Sequence, residues 1–315
     1  MGFPVGKVES KYLFPMNYQE FLRAIKKTMY ANLLDEINLK NAPSESIHQK
    51  LIDFLLIYFV VGGMPEVIDI YSENQEHPWS AYTAVRAKQI ELVNNYKGDI
   101  AKHSGKIKAI KIEAVFKSIP SQLAQEQKEH KKFVFKDILK HGNSNFQNLE
   151  GPVEWLIKAG LVKKVFIVEK AQIPLVAYAK ENRFKLYLFD VGLLGAMLNL
   201  SPKNILLDNY GMAKVFFAEN FVLNEMYSSF NQASANKEIY SWQSGKSEID
   251  FLVEHGGEII PIEVKSGINT KAQSLKVYTE KYNPSTKILL SQLSISGTKT
   301  NQILPLYLTS KLFPL

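Results

Sequence analysis

The run SEIDFLVE (247–254), the triplet His255-Gly256-Gly257 and the run EIIPIEVK (258–265) constrain this chain more than any other stretch. Their alternation and their Ile, Val and Phe content predict two strands joined as a hairpin. EIYSWQ, ahead of Ser244-Gly245-Lys246, predicts a third strand on the same meander. The preceding GMAKVFFAENFVLNEMYSSF has Phe216, Phe217, Phe221, Val222 and Met226 at helical spacing. A helix from Thr270 to Tyr282, a strand TKILLS and a last short strand ILPLYL complete the pattern helix, three strands, helix, strand.

Acidic residues interrupt these apolar runs. Asp250 lies between Ile249 and Phe251, and Glu263 between Ile262 and Val264. A carboxylate in such a position is costly, and two close together do not both stay ionised unless a cation joins them. Lys265 is two residues past Glu263, which on a strand puts both side chains on one face. Glu219 comes from the preceding helix. Three carboxylates and an amine at one sheet edge predict a hard-cation site, with the lysine free to act on water or phosphate. The plainer alternative is a surface strand carrying a Glu263–Lys265 ion pair. Ile259, Ile260, Ile262 and Val264 argue against it, being too apolar for a solvated strand.

A chain of 315 residues, 46% hydrophobic and 22% charged, predicts a soluble globular protein of two or three domains. No apolar run is long enough for a membrane span, and the start has no signal-peptide core. The absence of cysteine excludes disulfides, thiolate zinc sites and cysteine nucleophiles, and a cytoplasmic location fits it. The net charge of +7 is uneven. Residues 97–203 carry 19 basic and 10 acidic side chains, while residues 204–315 carry 10 of each. The positive field belongs to the middle of the chain, where it would attract polyanions.

In chain order, residues 1–100 read as a short strand, a turn at Pro15 and then helices. Ser44 marks one helix start and Gly62-Gly63 its stop. His48, Asp53 and His77 are isolated and read as structural or surface positions. Residues 101–204 read as three helices (Lys106 to about Gln125, FVFKDILKH and NFQNLEGPVEWLIKAGLV) followed by two ribbon-like runs. That is a winged-helix outline. Its third helix offers few groups for base contact, Gln147 and Asn148 near its start and Lys158 late, with Glu150 and Glu154 against it, so direct base reading is weak. The candidate nucleic-acid contacts are Lys128, Lys131, Lys132, Lys136 and Lys140, with Lys163 and Lys164 at the wing; a purely structural winged helix is the alternative. Residues 205–315 form the third unit. The whole is expected to be α+β or α/β. Ser244-Gly245-Lys246-Ser247 fails as a phosphate loop, because position 240 is Tyr and a strand, not a helix, follows. The chain alone is not expected to bind or hydrolyse ATP.

The C-terminal arrangement resembles the PD-(D/E)xK nuclease superfamily, in which an Asp precedes Glu-x-Lys by one hairpin and a helical Glu completes the site. The matching residues are Asp250, then Glu263-Val264-Lys265, with Glu219 as the helical acid. The segments FPVGKVESKYLFPMNYQEFLRA, GGMPEVI, FKLYLFDVGLL, FAENFVLNEM and SEIDFLVEHGGEIIPIEVKSG together resemble a prokaryotic family of ATP-binding proteins. Its members carry an AAA-type ATPase module followed by domain of unknown function 4143. The first of these segments resembles the close of the ATPase module, including its late arginine or lysine, Lys7 here. The Walker motifs that precede it in the family are missing, as in a truncated chain or a shortened reading frame.

These resemblances imply a restriction-endonuclease-like αβββαβ module coupled to an ATPase. The expected function is a Mg²⁺- or Mn²⁺-dependent nuclease acting on DNA. Asp250 and Glu263, the Val264 carbonyl and Glu219 would be its metal ligands, and Lys265 would orient water or stabilise the oxyanion. The rival expectation is a catalytically inert module that binds nucleic acid or a protein. A homo-oligomer and an ATPase partner both stay open.

Overall fold

The computed structural model describes residues 11–126, 132–139, 143–230, 237–268 and 271–313. The expected strand at the start, Lys7, Lys128, Lys131 and Lys140 lie outside these residues.

The first part of the chain is helical. Asn17 opens α1 (Tyr18–Ala24) with a full capping box, its side chain accepting from the Glu20 amide while Glu20 accepts from the Asn17 amide. Next come α2 (Thr28–Glu36) and α3 (Glu45–Val61). Ser44 caps α3 as its position predicted, and Gly62 ends it at φ 77°. α4 (Pro65–Glu73), α5 (Pro78–Ser104), α6 (Lys106–Glu126) and α7 (Phe146–Lys158) follow. A side chain at Gly62 would overlap the Asp190 carboxylate, and the Gly63 amide donates to Asp190 Oδ2 at 2.6 Å. The GGMP turn is therefore locked from 127 residues away.

Two strands, β1 (Val162–Val168) and β2 (Ala179–Leu188), precede the short helices α8 (Val191–Met197) and α9 (Pro202–Leu206). The C-terminal part is α10 (Ala213–Ser229), β3 (Tyr240–Ser244), β4 (Ser247–His255), β5 (Glu258–Val264), α11 (Gln273–Tyr282), β6 (Lys287–Ser291), β7 (Ser296–Gly297) and β8 (Asn301–Pro305). From α10 to β6 this is the expected order of helix, three strands, helix and strand. A 3₁₀ turn, Leu306–Lys311, takes the place of the end of the last expected strand.

The eight strands among the described residues form one mixed sheet, ordered β2-β1-β3-β4-β5-β6-β8-β7. The ribbon expected as a free wing is part of it: β1 pairs with β2 antiparallel and runs parallel to β3. The reason is apolar content. Val162, Val165, Ile167, Val168, Phe184 and Leu186 are all buried, and a wing open to water would expose part of that set. One large core joins residues from Tyr18 to Phe313 and includes α10. A smaller cluster gathers Trp242, Ile249 and Leu252 with Leu275 and Tyr278 of α11.

FVFKDILKH is not a helix where it is described. The Phe133 amide donates to the Phe184 carbonyl at 2.7 Å, and both Phe133 and Phe135 pack their rings on Phe184 at 5.8 Å. Two aromatic anchors at alternate positions hold Phe133–Phe135 along the edge strand, and residues 136–139 turn away from it. Among the described residues the middle region thus has two helices before its strands, where three were expected.

Candidate active site

The meander carries the candidate residues to the place where two strands part. The β4–β5 ladder runs from His255↔Glu258 to Phe251↔Ile262 and stops there. The next pair in that register is Asp250 and Glu263. Asp250 Oδ2 instead accepts the Val264 amide hydrogen at 2.7 Å, while the Lys265 amide donates to the carbonyl of Leu290 in β6. On its other side β4 is bulged: Tyr240 pairs with Leu252, but Trp242 pairs with Ile249. Ile249 accordingly belongs to the small cluster and Phe251, two residues on, to the main core. A regular strand would put those two on one face, so the bulge at Asp250–Phe251 re-aims the aspartate.

Glu263 is 5% exposed. Its Oε1 accepts from Lys265 Nζ at 2.8 Å, and its Oε2 is buried with no hydrogen-bond partner. The Glu263–Lys265 ion pair of the plainer sequence reading is therefore present, but on a buried strand. Glu219, 3% exposed on α10, accepts from the Tyr187 hydroxyl at 2.9 Å. Lys185 Nζ lies 2.5 Å from Glu248 Oε1 and 3.9 Å from Glu219 Oε2. Among the described residues, no three carboxylate or imidazole side chains stand close enough to share one metal ion. Asp250, Glu263 and Glu219 share one electrostatic neighbourhood without forming a ready three-ligand cluster.

Charge in this neighbourhood is strained. Burial, then the charges of Glu263 and Glu219, push the Asp250 carboxyl well above the ordinary range, and Lys185 opposes them. Burial also raises Glu263 against the pull of Lys265. For Lys265, burial works against the ammonium, but Glu263, Asp250 and Glu219 outweigh it and raise its pKa.

Lys185, Tyr187 and Glu248 lie outside the Asp250 and Glu263-Val264-Lys265 pattern of the sequence. Lys185 sits between Phe184 and Leu186, the same signal that marks Asp250: a charge inside an apolar run. His48 is a buried structural residue, as read, bridging the Tyr307 hydroxyl at 2.8 Å and the Gln292 carbonyl at 3.0 Å.

The candidate nucleic-acid lysines divide into two sets. Lys132 and Lys136 are exposed. Lys164 pairs with Glu154 at 2.5 Å and lies over the Phe166 and Phe184 rings. Lys163 lies over Phe14 and Tyr227, both at 4.9 Å, and burial lowers its pKa. Both wing lysines are thus packed on aromatic rings.

Residues 215–308 match the domain of unknown function 4143. The match takes in α10 from its third residue, the meander, α11 and β6 to β8, so every residue of the candidate site except Lys185 and Tyr187 falls in the DUF4143 segment. Residues 53–204 match a second family, the domain of unknown function 8612, which contains those two. No curated protein and no solved structure gives a significant match. Among the described residues no single helix is long and apolar enough to cross a membrane.

Proposed function

We propose that the DUF4143 segment is a nuclease-like module whose site binds a divalent cation and hydrolyses phosphodiesters of DNA. The observation that carries this reading is the juxtaposition of Asp250 and Glu263 where β4 and β5 separate, with Glu263 Oε2 buried and unpartnered. An orphaned buried carboxylate oxygen beside a second strained carboxylate fits a hard cation. Asp250, Glu263 and the Val264 carbonyl would hold Mg²⁺ or Mn²⁺, with Glu219 at the margin. When bound, such an ion supplies Lewis-acid activation of water and offsets charge on the phosphate.

The protein's own part in this reading is positional. The Val264 amide fixes Asp250 through its 2.7 Å hydrogen bond. Lys265, with a third of its side chain exposed, reaches from Glu263 toward solvent and serves as the donor to the attacked phosphate oxygen or the attacking water. The basic residues of the middle region attract the polyanion. In the same reading the site works with an AAA-type ATPase partner, as the family resemblance implies.

A second reading is an inert module that binds nucleic acid or a protein. It is favoured by the internal pairing of Glu263 with Lys265 and of Glu248 with Lys185. It is favoured too by a groove of about 1020 Å³ between α6 and residues 134–139, lined by Ile110, Lys117, Lys136 and Leu139. Plasmid nicking with Mg²⁺ or Mn²⁺ separates the two. Cleavage by the wild type that falls about 10²–10³-fold in Asp250→Ala and Lys265→Ala supports the nuclease. No cleavage with either metal, or equal cleavage by all three proteins, leaves the inert module.

A further inference from the structure

Four carboxylates and two ammonium groups share one electrostatic neighbourhood around the separated strands: Glu219, Glu248, Asp250 and Glu263 with Lys185 and Lys265. Fully ionised, four negative and two positive charges leave −2, the charge that one divalent ion offsets. The two lysines have different situations. Lys265 is partly exposed and stands next to Glu263. Lys185 is 3% exposed, so it does not reach a substrate in solvent. Burying an ammonium is tolerated only where its charge is matched, and here Glu248 and Glu219 match it. Tyr187, two residues along β2 and on the same face, holds Glu219 Oε2 from a second direction. Glu263 Oε2 takes no part in these internal pairs, and its burial without a hydrogen-bond partner points to a ligand from outside.

We propose that Lys185 is a built-in cation that keeps Glu219 and Glu248 out of metal ligation, so that Asp250 and Glu263 bind a single divalent ion per chain. The inference rests on the cation-site reading above and gives it a stoichiometry. Lys185 is then a positioning residue: it sets how much negative charge the site offers and which carboxylates are free to offer it. Glu219 on this account shapes the field at the site without touching the ion.

Mn²⁺ binding followed by electron paramagnetic resonance on the whole chain tests this without any assay of activity. The wild type should bind one Mn²⁺. Lys185→Met, which keeps the length and removes the charge, should either gain a second Mn²⁺ or bind the first at least about tenfold more tightly, and Lys185→Arg should return both values to wild type. The same number of ions at the same affinity in wild type and Lys185→Met overturns the proposal. If the wild type binds none, the cation-site reading fails. In that case a site gained by Lys185→Met still supports an internal cation, and none in either protein overturns both ideas. Should circular dichroism show Lys185→Met unfolded, Glu248→Gln takes its place. It leaves the Lys185 charge to the remaining acids and should weaken Mn²⁺ at least about tenfold, whereas unchanged affinity counts against the proposal.

Discussion

Asp250 accepts the Val264 amide hydrogen at 2.7 Å, a side chain standing where a backbone carbonyl of β4 would continue the ladder to β5. The substitution of side chain for main chain opens the sheet and holds a carboxylate inside it. Without a cation that arrangement opposes stability. The folded-state pKa of Asp250 is raised, so its contribution is fully present below the unfolded value and lost as pH rises through the folded one. Asp250→Asn should therefore be more stable than wild type at pH 8 in chelator, by on the order of 1 kcal/mol, with the difference closing as pH falls. Urea unfolding at pH 4, 6 and 8 measures it. A variant less stable at every pH would show that the ionised carboxylate is itself a structural support.

Glu225 makes the same sign of prediction away from the site. It is 1% exposed on α10, accepts the Tyr18 amide hydrogen at 2.8 Å, and burial raises its pKa to about 8. Its stabilising share is complete below its unfolded value and declines from there as pH rises to about 8, by up to about 1.4 kcal/mol per pH unit. Glu225→Gln keeps an acceptor for Tyr18 and should flatten that decline. Thermal unfolding from pH 5 to 9 reads it out, and a parallel slope in both proteins contradicts the assignment.

Much of this architecture is legible in the sequence where local chemistry decides. Ser44, Gly62 and the glycines at the two tight turns mark ends that the structure keeps, and the alternation through Ile249–Val264 yields β4 and β5. Asp250 and Glu263 stand out because a charge in an apolar run needs a reason. Distant partners decide what sequence misses. FVFKDILKH looks like a helix until Phe184 claims both Phe133 and Phe135, and β1 looks like a wing until β3 lies beside it. Lys185 carries the same signal as Asp250, but the carboxylates that explain it lie 34 and 63 residues further along the chain.

The lock between Gly62 and Asp190 gives a third prediction. Gly62→Ala must place a methyl group into the Asp190 carboxylate at φ 77°. It should cost about 1–3 kcal/mol in chemical denaturation. A loss below about 0.5 kcal/mol would mean that the GGMP turn is not fixed by this contact.

The two sets of lysines should behave differently toward DNA. Lys132→Glu with Lys136→Glu should weaken binding and lower the salt slope by about two, since each phosphate contact contributes about 0.9. Lys164→Ala removes a packed ion pair and should alter stability while leaving the salt slope unchanged. Fluorescence anisotropy across a salt series distinguishes them. Equal slopes in all three proteins would remove the exposed pair from the interface.

The central claim is that acids placed inside this sheet are gathered by a divalent ion. Calorimetric titration of the wild type, Asp250→Asn and Glu263→Gln with Mg²⁺ and Mn²⁺ tests it most directly. The account predicts saturable binding by the wild type that both variants lose. Heats no larger than those of the variants, with either metal, would contradict it.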